Sequence, residues 1–354
     1  VNAPPGFLSL RHVGRSFGEY RAVDGIDLDI VRGEVFALLG PSGCGKSTLL
    51  RMLAGLAAVD EGTIHLDGEL LNARPAHSRP VNMMFQAYAL FPHMSVESNI
   101  AFGLRQMGMA PERIRARVEE LLGLVKMQAY AQRRPHQLSG GQQQRIALAR
   151  SLAREPKLLL LDEPMAALDR QLRVQMQREL RDILERVDVT CIIVTHDRDE
   201  AMTMADRIGL MYEGRLVQVG SPEEVYDRPR TRFIAEFLGQ VNLLQGVAEA
   251  TDRIRLGGRL MPTRGATPGQ LTTVALRPED IDLYAAPPEH GMALEGEVLS
   301  VDYMGIHRAL EIEVPGMERL AVIIAGSAQK VPAPGVRVWL DWWAEDAVVL
   351  EEEA

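Results

Sequence analysis

The sequence predicts an α/β protein built on a mostly parallel sheet covered by helices, followed by a small all-β domain. Three observations carry this prediction. Short apolar runs at 35–39, 158–161 and 191–194 are each followed by a helix-compatible segment, the alternation expected of βα units. Between 111 and 131, Ile114, Val118, Leu121, Leu122 and Val125 recur at helical spacing, which predicts an inserted helical lobe over about 90–155. After Gln240 the texture changes, and β-like runs at 272–276, 298–301, 309–314 and 336–340 are separated by Gly and Pro. That pattern suits a barrel or sandwich of the oligonucleotide/oligosaccharide-binding (OB) kind. A chain of 354 residues fits two domains better than one, expected here at 1–239 and 240–354.

Composition narrows the function classes. Hydrophobic residues at 46% and charged residues at 25% are ordinary for a globular chain. No apolar run approaches the ~20 residues needed to cross a bilayer. The opening Val-Asn-Ala-Pro-Pro-Gly has neither the basic start nor the apolar stretch of a secretion signal. The expected location is therefore the cytoplasm, with any membrane work done through partners. Cys44 and Cys191 offer neither a disulfide framework nor metal spacing and read as two reduced thiols. The net charge of −9 resides wholly in 241–354, with 18 acidic and 9 basic side chains, leaving 1–240 neutral. Nucleic-acid binders normally carry a basic surface, so no nucleic-acid partner is expected. The terminal run of Glu351, Glu352 and Glu353 reads as a solvated tail. Trp339, Trp342 and Trp343 are expected to pack in the core of the second domain.

The first chemical motif follows the strand at 35–39. Gly-Pro-Ser-Gly-Cys-Gly-Lys-Ser-Thr occupies 40–48 and leads into a helix-like segment at 49–56. Gly40, Gly43 and Gly45 permit backbone shapes that turn several N–H groups toward one point, and the helix beginning there adds its positive end. Lys46 can reach β- and γ-phosphates, and the Ser47 hydroxyl can bind Mg²⁺. The pattern predicts nucleoside triphosphate binding.

The second motif is Leu-Leu-Leu-Leu-Asp-Glu-Pro at 158–164, a buried strand delivering Asp162 and Glu163 at its end. Ligands of open α/β sheets lie beyond the carboxyl ends of strands, so this pair is expected on the edge that holds the phosphate loop. Asp162 is suited to hold Mg²⁺ through its water shell, and Glu163 to orient and deprotonate an attacking water. Gln86 and His196 are also polar residues at strand ends. Gln86 is suited to Mg²⁺ and the water, and His196 to the γ-phosphate, although spacing alone gives neither more weight than a surface residue.

The third motif is Leu-Ser-Gly-Gly-Gln at 138–142, directly before a strong helix at 143–154. Ser139 is a good N-cap and the glycines expose the first backbone amides, so this is either a simple capped helix or a second anion cradle. A second cradle is redundant on one chain. It ceases to be redundant if each copy closes its own over the γ-phosphate held by another.

Taken in order, residues 40–48, Gln86, 138–142, Asp162-Glu163, Ala167-Leu168-Asp169 and His196 resemble the nucleotide-binding subunits of ABC transporters, and the likeness covers nearly the whole chain. The resemblance implies a RecA-like P-loop ATPase core with a helical subdomain, ATP and Mg²⁺ as ligands, and a pair of identical subunits. It assigns Gly40, Ser42, Gly43, Cys44, Gly45, Lys46, Ser47 and Thr48 to the nucleotide, and Ser47, Gln86 and Asp162 to the metal. Glu163, His196 and Gln86 become the catalytic set. Phe17 is implied to stack on adenine, where most members carry Tyr. Ser139, Gly141 and Gln142 are implied to reach the γ-phosphate in trans, and Asp169 to couple the two sites. Gln143 stands where the family often has Arg, and Ala166 where it has Gly or Ser.

Residues 79–93 further resemble importer ATPases that carry a C-terminal accessory (TOBE) barrel, as do Val-Ala-Leu-Arg-Pro-Glu at 274–279 and Asp-Tyr-Met-Gly at 302–305. The resemblance implies that 88–93, with an exposed Tyr, Leu, Phe and Pro, forms an apolar site for a transmembrane permease subunit. The expected setting is peripheral, on the inner face of the cell membrane, with a substrate-binding protein as an indirect partner. Within the family the likeness is strongest to putrescine or spermidine importer ATPases, over 79–104 and 134–163. Iron(III), sulfate and sugar importers use similar motors, and soluble non-transport ABC ATPases are the rival class.

Overall fold

The computed structural model describes residues 6–166, 168–288, 293–326 and 331–351. They form two compact units that divide after Pro222. Ala167 and residues 352–353 of the acidic tail lie outside the described residues.

In the first unit, β1 (Leu8–Phe17) and β2 (Tyr20–Ile30) make a hairpin, and β3 (Val35–Leu39) runs into α1 (Lys46–Ala54). There follow β4 (Glu61–Leu66), β5 (Glu69–Leu70) and β6 (Val81–Met84). A helical stretch comes next, with α2 (Val96–Gln106), α3 (Pro111–Leu124) and α4 (Gly140–Leu152). The unit closes with β7 (Leu158–Asp162), α5 (Arg170–Val187), β8 (Thr190–Thr195), α6 (Arg198–Met204), β9 (Arg207–Tyr212) and β10 (Arg215–Gly220).

Five strands form the parallel series β9-β3-β8-β7-β6, with β10 antiparallel at the edge. β3, β7 and β8 are buried at every residue, which is why they read as unbroken apolar runs rather than alternating ones. A four-stranded antiparallel sheet, β2-β1-β4-β5, was not expected. Its strands alternate imperfectly, and β1 departs from regular register against both neighbours. One core joins this sheet, α1 and β3, β6, β7 and β8. A second core joins α2, α3 and α4 to β7, β8 and α5.

The second unit begins with α7 (Pro222–Asp227), whose first residue ends the preceding unit, and α8 (Arg232–Leu238). It continues with β11 (Asn242–Ala250), β12 (Arg253–Leu256), β13 (Arg259–Pro262), β14 (Leu271–Leu276), β15 (Asp282–Tyr284) and β16 (Leu294–Tyr303). The last strands are β17 (His307–Glu313), β18 (Leu320–Ala325), β19 (Arg337–Asp341) and β20 (Val348–Val349). Two five-stranded antiparallel sheets, β13-β12-β11-β14-β20 and β15-β19-β16-β17-β18, share one apolar core. Trp342 is in that core and donates its indole N–H to the Pro262 carbonyl at 3.2 Å. Trp343, expected to be buried, is 71% exposed.

The units divide earlier than 239/240 because α7 and α8 are fastened to the barrel. Buried Arg277 donates to the carbonyls of Ala235 (2.9 Å), Gln240 (3.1 Å) and Tyr226 (3.1 Å), and lies over the Tyr226 ring. Ala235 packs with Ala275 and Leu350. Helices of six and seven residues have no independent stability, so the surface that covers their apolar face decides which unit owns them.

Candidate functional site

The phosphate loop is shaped by two glycines that nothing else could replace. Gly45 has φ +104°, and a Cβ there would stand 2.0 Å from the Ala22 carbonyl oxygen. At Gly40 it would stand 2.2 Å from that of Met211. Gly45 is also the N-cap of α1, with no side chain bonding the first amides of the helix. Those N–H groups, with the positive end of the helix dipole, suit an anion. Lys46 is buried, its ammonium 2.8 Å from the carbonyl oxygens of both Gly40 and Pro41. Ser42 and Gly43 are exposed, Ser47 and Thr48 half-buried. Cys44 is buried, with Sγ 3.6 Å from Lys46 Nζ.

Sheet pairing brings the carboxylates to this loop. Ser47 Oγ donates to Asp162 Oδ1 at 3.2 Å. Burial pushes the Asp162 carboxyl above its ordinary range and neighbouring Glu163 adds to this, while Ser47, Arg51 and Lys46 oppose it. Glu163 adopts the left-handed region at φ +46°, rare for a residue with a side chain, while its N–H continues the ladder to the Val194 carbonyl at 2.9 Å. Its carboxylate is gripped on both sides. Gln86 Nε2 donates to Oε2 at 2.6 Å, and His196 Nδ1 lies 2.9 Å from Oε1. Gln86, Glu163 and His196 come from the ends of β6, β7 and β8, and so converge although 33 and 77 positions separate them from one another.

Ser139 caps α4 with a reciprocal box: its Oγ accepts from Gln142 N at 3.4 Å, and Gln142 Oε1 accepts from Ser139 N at 3.0 Å. Gly141 packs against Leu172 of α5, and Asp169 caps α5 by accepting from Leu172 N at 3.0 Å. The 138–142 segment and Asp169 are thus neighbours. Among the described residues no hydrogen bond joins 139–142 to 40–48 of the same chain. Phe17 is 51% exposed at the tip of the β1–β2 hairpin, with the Arg15 guanidinium over its ring. Its cross-strand partner Tyr20, which the sequence reading passed over, donates its hydroxyl to the Gly43 carbonyl at 2.8 Å. An aromatic three positions from Phe17 was the available signal.

Tyr88 is not exposed but buried, its hydroxyl donating to the Pro164 carbonyl at 3.4 Å. Leu90 and Phe91 are half-buried, so within 88–93 only Ala89, Pro92 and His93 are open. Beyond this segment, α2 and α3 border a hollow of about 730 Å³ lined by Ala101, Met109, Ile114, Val118 and Leu122, with charged groups at its rim.

Behind His196 lies a second missed residue. Glu200 is 2% exposed and accepts from Thr195 Oγ1 at 2.6 Å, while Thr195 Oγ1 accepts from Asp197 N at 3.0 Å, an arch that spans His196. Burial pushes the Glu200 carboxyl up to about 7, helped by Asp197 and Glu163 and opposed by Thr195 and Arg173. A carboxyl raised in the folded state contributes stability that is full below its ordinary 4.5 and is lost as pH rises to about 7. Glu200→Gln does not titrate. Its melting temperature is therefore expected to gain on the wild type between about pH 5 and pH 7 and hold a constant difference above. Parallel melting curves across that range would contradict this environment for Glu200.

Comparison with known proteins gives the family. A model of the ABC transporter family matches residues 23–166, and one of the TOBE domain matches 274–350. The chain is 49% identical to the putrescine transport ATP-binding protein PotG of Escherichia coli K12, over 97% of this chain and 94% of that protein. It is 45% identical to the spermidine/putrescine import ATP-binding protein PotA of Pseudomonas aeruginosa UCBPP-PA14, covering 90% and 91%. Among solved structures it is similar to the dimeric post-hydrolysis state of the ATP-binding cassette MJ0796 bound to ADP and Pi, with TM-score 0.54 and 30% identity, covering 61% of this chain and 98% of that one. It is also similar to cbiO1 of Clostridium perfringens, part of an ABC transporter complex, with TM-score 0.58 and 32% identity, covering 63% and 91%. No helix among the described residues is long and apolar enough to cross a membrane.

Proposed function

Because this chain belongs to the ABC transporter family, as one of its ATP-hydrolysing subunits, we propose that it drives an importer for a polyamine, putrescine or spermidine. The cargo reading rests on relatives that carry those names over nearly the full chain. The readings as an iron(III), sulfate or sugar motor, or as a soluble ABC ATPase, lack that support. The subunit works from the inner face of the cell membrane on permease subunits, which in turn receive cargo from a substrate-binding protein. The permease's cytoplasmic segment seats across Pro92 and His93 and into the neighbouring α2–α3 hollow.

The observation that carries the mechanism is the clamped Glu163 carboxylate beside the phosphate loop. ATP lies with its phosphates on the amides of 40–48, Lys46 turned to the β- and γ-phosphates, and its adenine on Phe17. Glu163 takes the proton of the attacking water. His196 and Gln86 hold the carboxylate in place, and His196 also faces the γ-phosphate. The buried Asp162 carboxyl, the Ser47 hydroxyl and the Gln86 amide oxygen offer hard oxygen ligands, a set that fits Mg²⁺. When bound, that ion supplies positive charge to the phosphate oxygens. Ser139, Gly141 and Gln142 of a second copy cover the γ-phosphate, and Asp169 carries the state of one site to the other.

Two measurements test this. Cysteines placed at Ser42 and Ser139 should cross-link between copies only with ATP present. Cross-linking that ignores nucleotide, or none at all, sinks the shared site. Vesicles holding the co-purified permease should accumulate labelled putrescine or spermidine on ATP; uptake of labelled sulfate or sugar instead sinks the cargo.

A further inference from the structure

Arg150 stands in the last turn of α4, about 15 Å of helix beyond Gly140, and is half-buried. An arginine at that depth ordinarily meets a carboxylate. Here burial alone acts on the guanidinium, pushing its pKa down, and its partners are two successive carbonyl oxygens. Nη1 donates to that of Ala89 at 2.7 Å and Nη2 to that of Tyr88 at 2.9 Å, while its Cζ lies over the Phe91 ring, 5.5 Å from the centroid.

Tyr88 and Ala89 are consecutive residues in the left-handed region, at φ +58° and +46°, where side-chain-bearing residues seldom sit even singly. Tyr88 N closes a turn onto the Phe85 carbonyl at 2.8 Å, and Gln86 lies within that turn. Buried Asn99 holds the far side, accepting from Phe91 N at 2.8 Å and donating to Phe91 O at 3.1 Å. Gln86 on one side of the turn reaches Glu163, and the other side is held by Arg150 from the helix that Ser139 caps.

We propose that Arg150 is a positioning residue for hydrolysis: it ties the far end of the 140–152 helix to the Gln86 turn, so the hold of Gln86 on Glu163 follows where that helix stands. This rests on the roles of Glu163 and Gln86 proposed above. A lysine keeps the charge but lacks the fixed two-nitrogen fork and the reach of arginine, and a glutamine is shorter and uncharged.

The test uses the full-length protein with Arg150→Lys and Arg150→Gln, either of which suffices. Phosphate release gives kcat and KM, and titration with a fluorescent ATP analogue gives affinity. Loss of the fork should lower kcat about tenfold or more while affinity stays unchanged, because a small misplacement of a reacting group is costly. Made in a Gln86→Ala background, the same change should cost less than about twofold, since the tie then positions nothing. An unchanged kcat overturns the proposal, as does an equal loss of ATP affinity, or the same fall in kcat with and without Gln86. Wild-type turnover in Gln86→Ala alone overturns the role of Gln86, a failure distinct from that of Arg150.

Discussion

Glu163→Gln is expected to bind ATP, hold it, and fail to turn it over. The substitution keeps the volume of the side chain and one oxygen to accept from Gln86, which sits 2.6 Å away. Its amide N–H₂ can face His196 Nδ1, provided that nitrogen is the unprotonated one. The strained backbone at φ +46° and the ladder bond to Val194 are untouched. What disappears is the basic carboxylate, and a positioned base is worth ~10²–10⁴ in rate. Turnover should fall by that factor with nucleotide affinity preserved. In the proposed pair, where two copies close over ATP and part on hydrolysis, a dimer should accumulate with ATP in size-exclusion chromatography. Hydrolysis within about threefold of the wild type would remove Glu163 from the role of base.

Lys46→Ala should fail one step earlier. The ammonium is buried among the Gly40 and Pro41 carbonyls at the mouth of α1, and charge-assisted bonds to phosphate are worth about 1.5–3 kcal/mol each, or roughly 10–100-fold in affinity. Removing it also leaves two carbonyls without this donor, so a modest drop in melting temperature should accompany the loss of binding. Titration with a fluorescent nucleotide separates the two variants. Glu163→Gln keeps its affinity and Lys46→Ala does not. Affinity within about twofold of the wild type for Lys46→Ala would dissociate the lysine from the phosphates.

These two residues were legible because their chemistry requires neighbours in the chain. A phosphate loop needs its glycines, its lysine and the start of a helix in one unbroken run, and a hydrolytic carboxylate needs the end of a buried strand. The ABC fold was legible for the same reason, since residues 35–39, 158–161 and 191–194 are apolar throughout and so announce the interior of a parallel sheet. Arg150 was not, because its partners lie 61 and 62 positions away and an arginine near a helix end is unremarkable by itself. The burial of Tyr88 was hidden in the same way: a polar-tipped aromatic in a Pro-containing segment reads as surface until Pro164 is brought to it. The β2-β1-β4-β5 sheet escaped because its bulges break the period of two on which strand recognition rests.

The triple grip of Arg277 on Tyr226, Ala235 and Gln240 bears on how such proteins could exchange tails. A graft joined at 239/240 would carry the arginine away from two of its three acceptors and part Ala235 of α8 from the Ala275 and Leu350 it packs against. A graft joined between β10 and α7 transplants lock and key together. Natural or engineered chimeras of motors and accessory modules should therefore splice near residue 221, ahead of the helices rather than behind them.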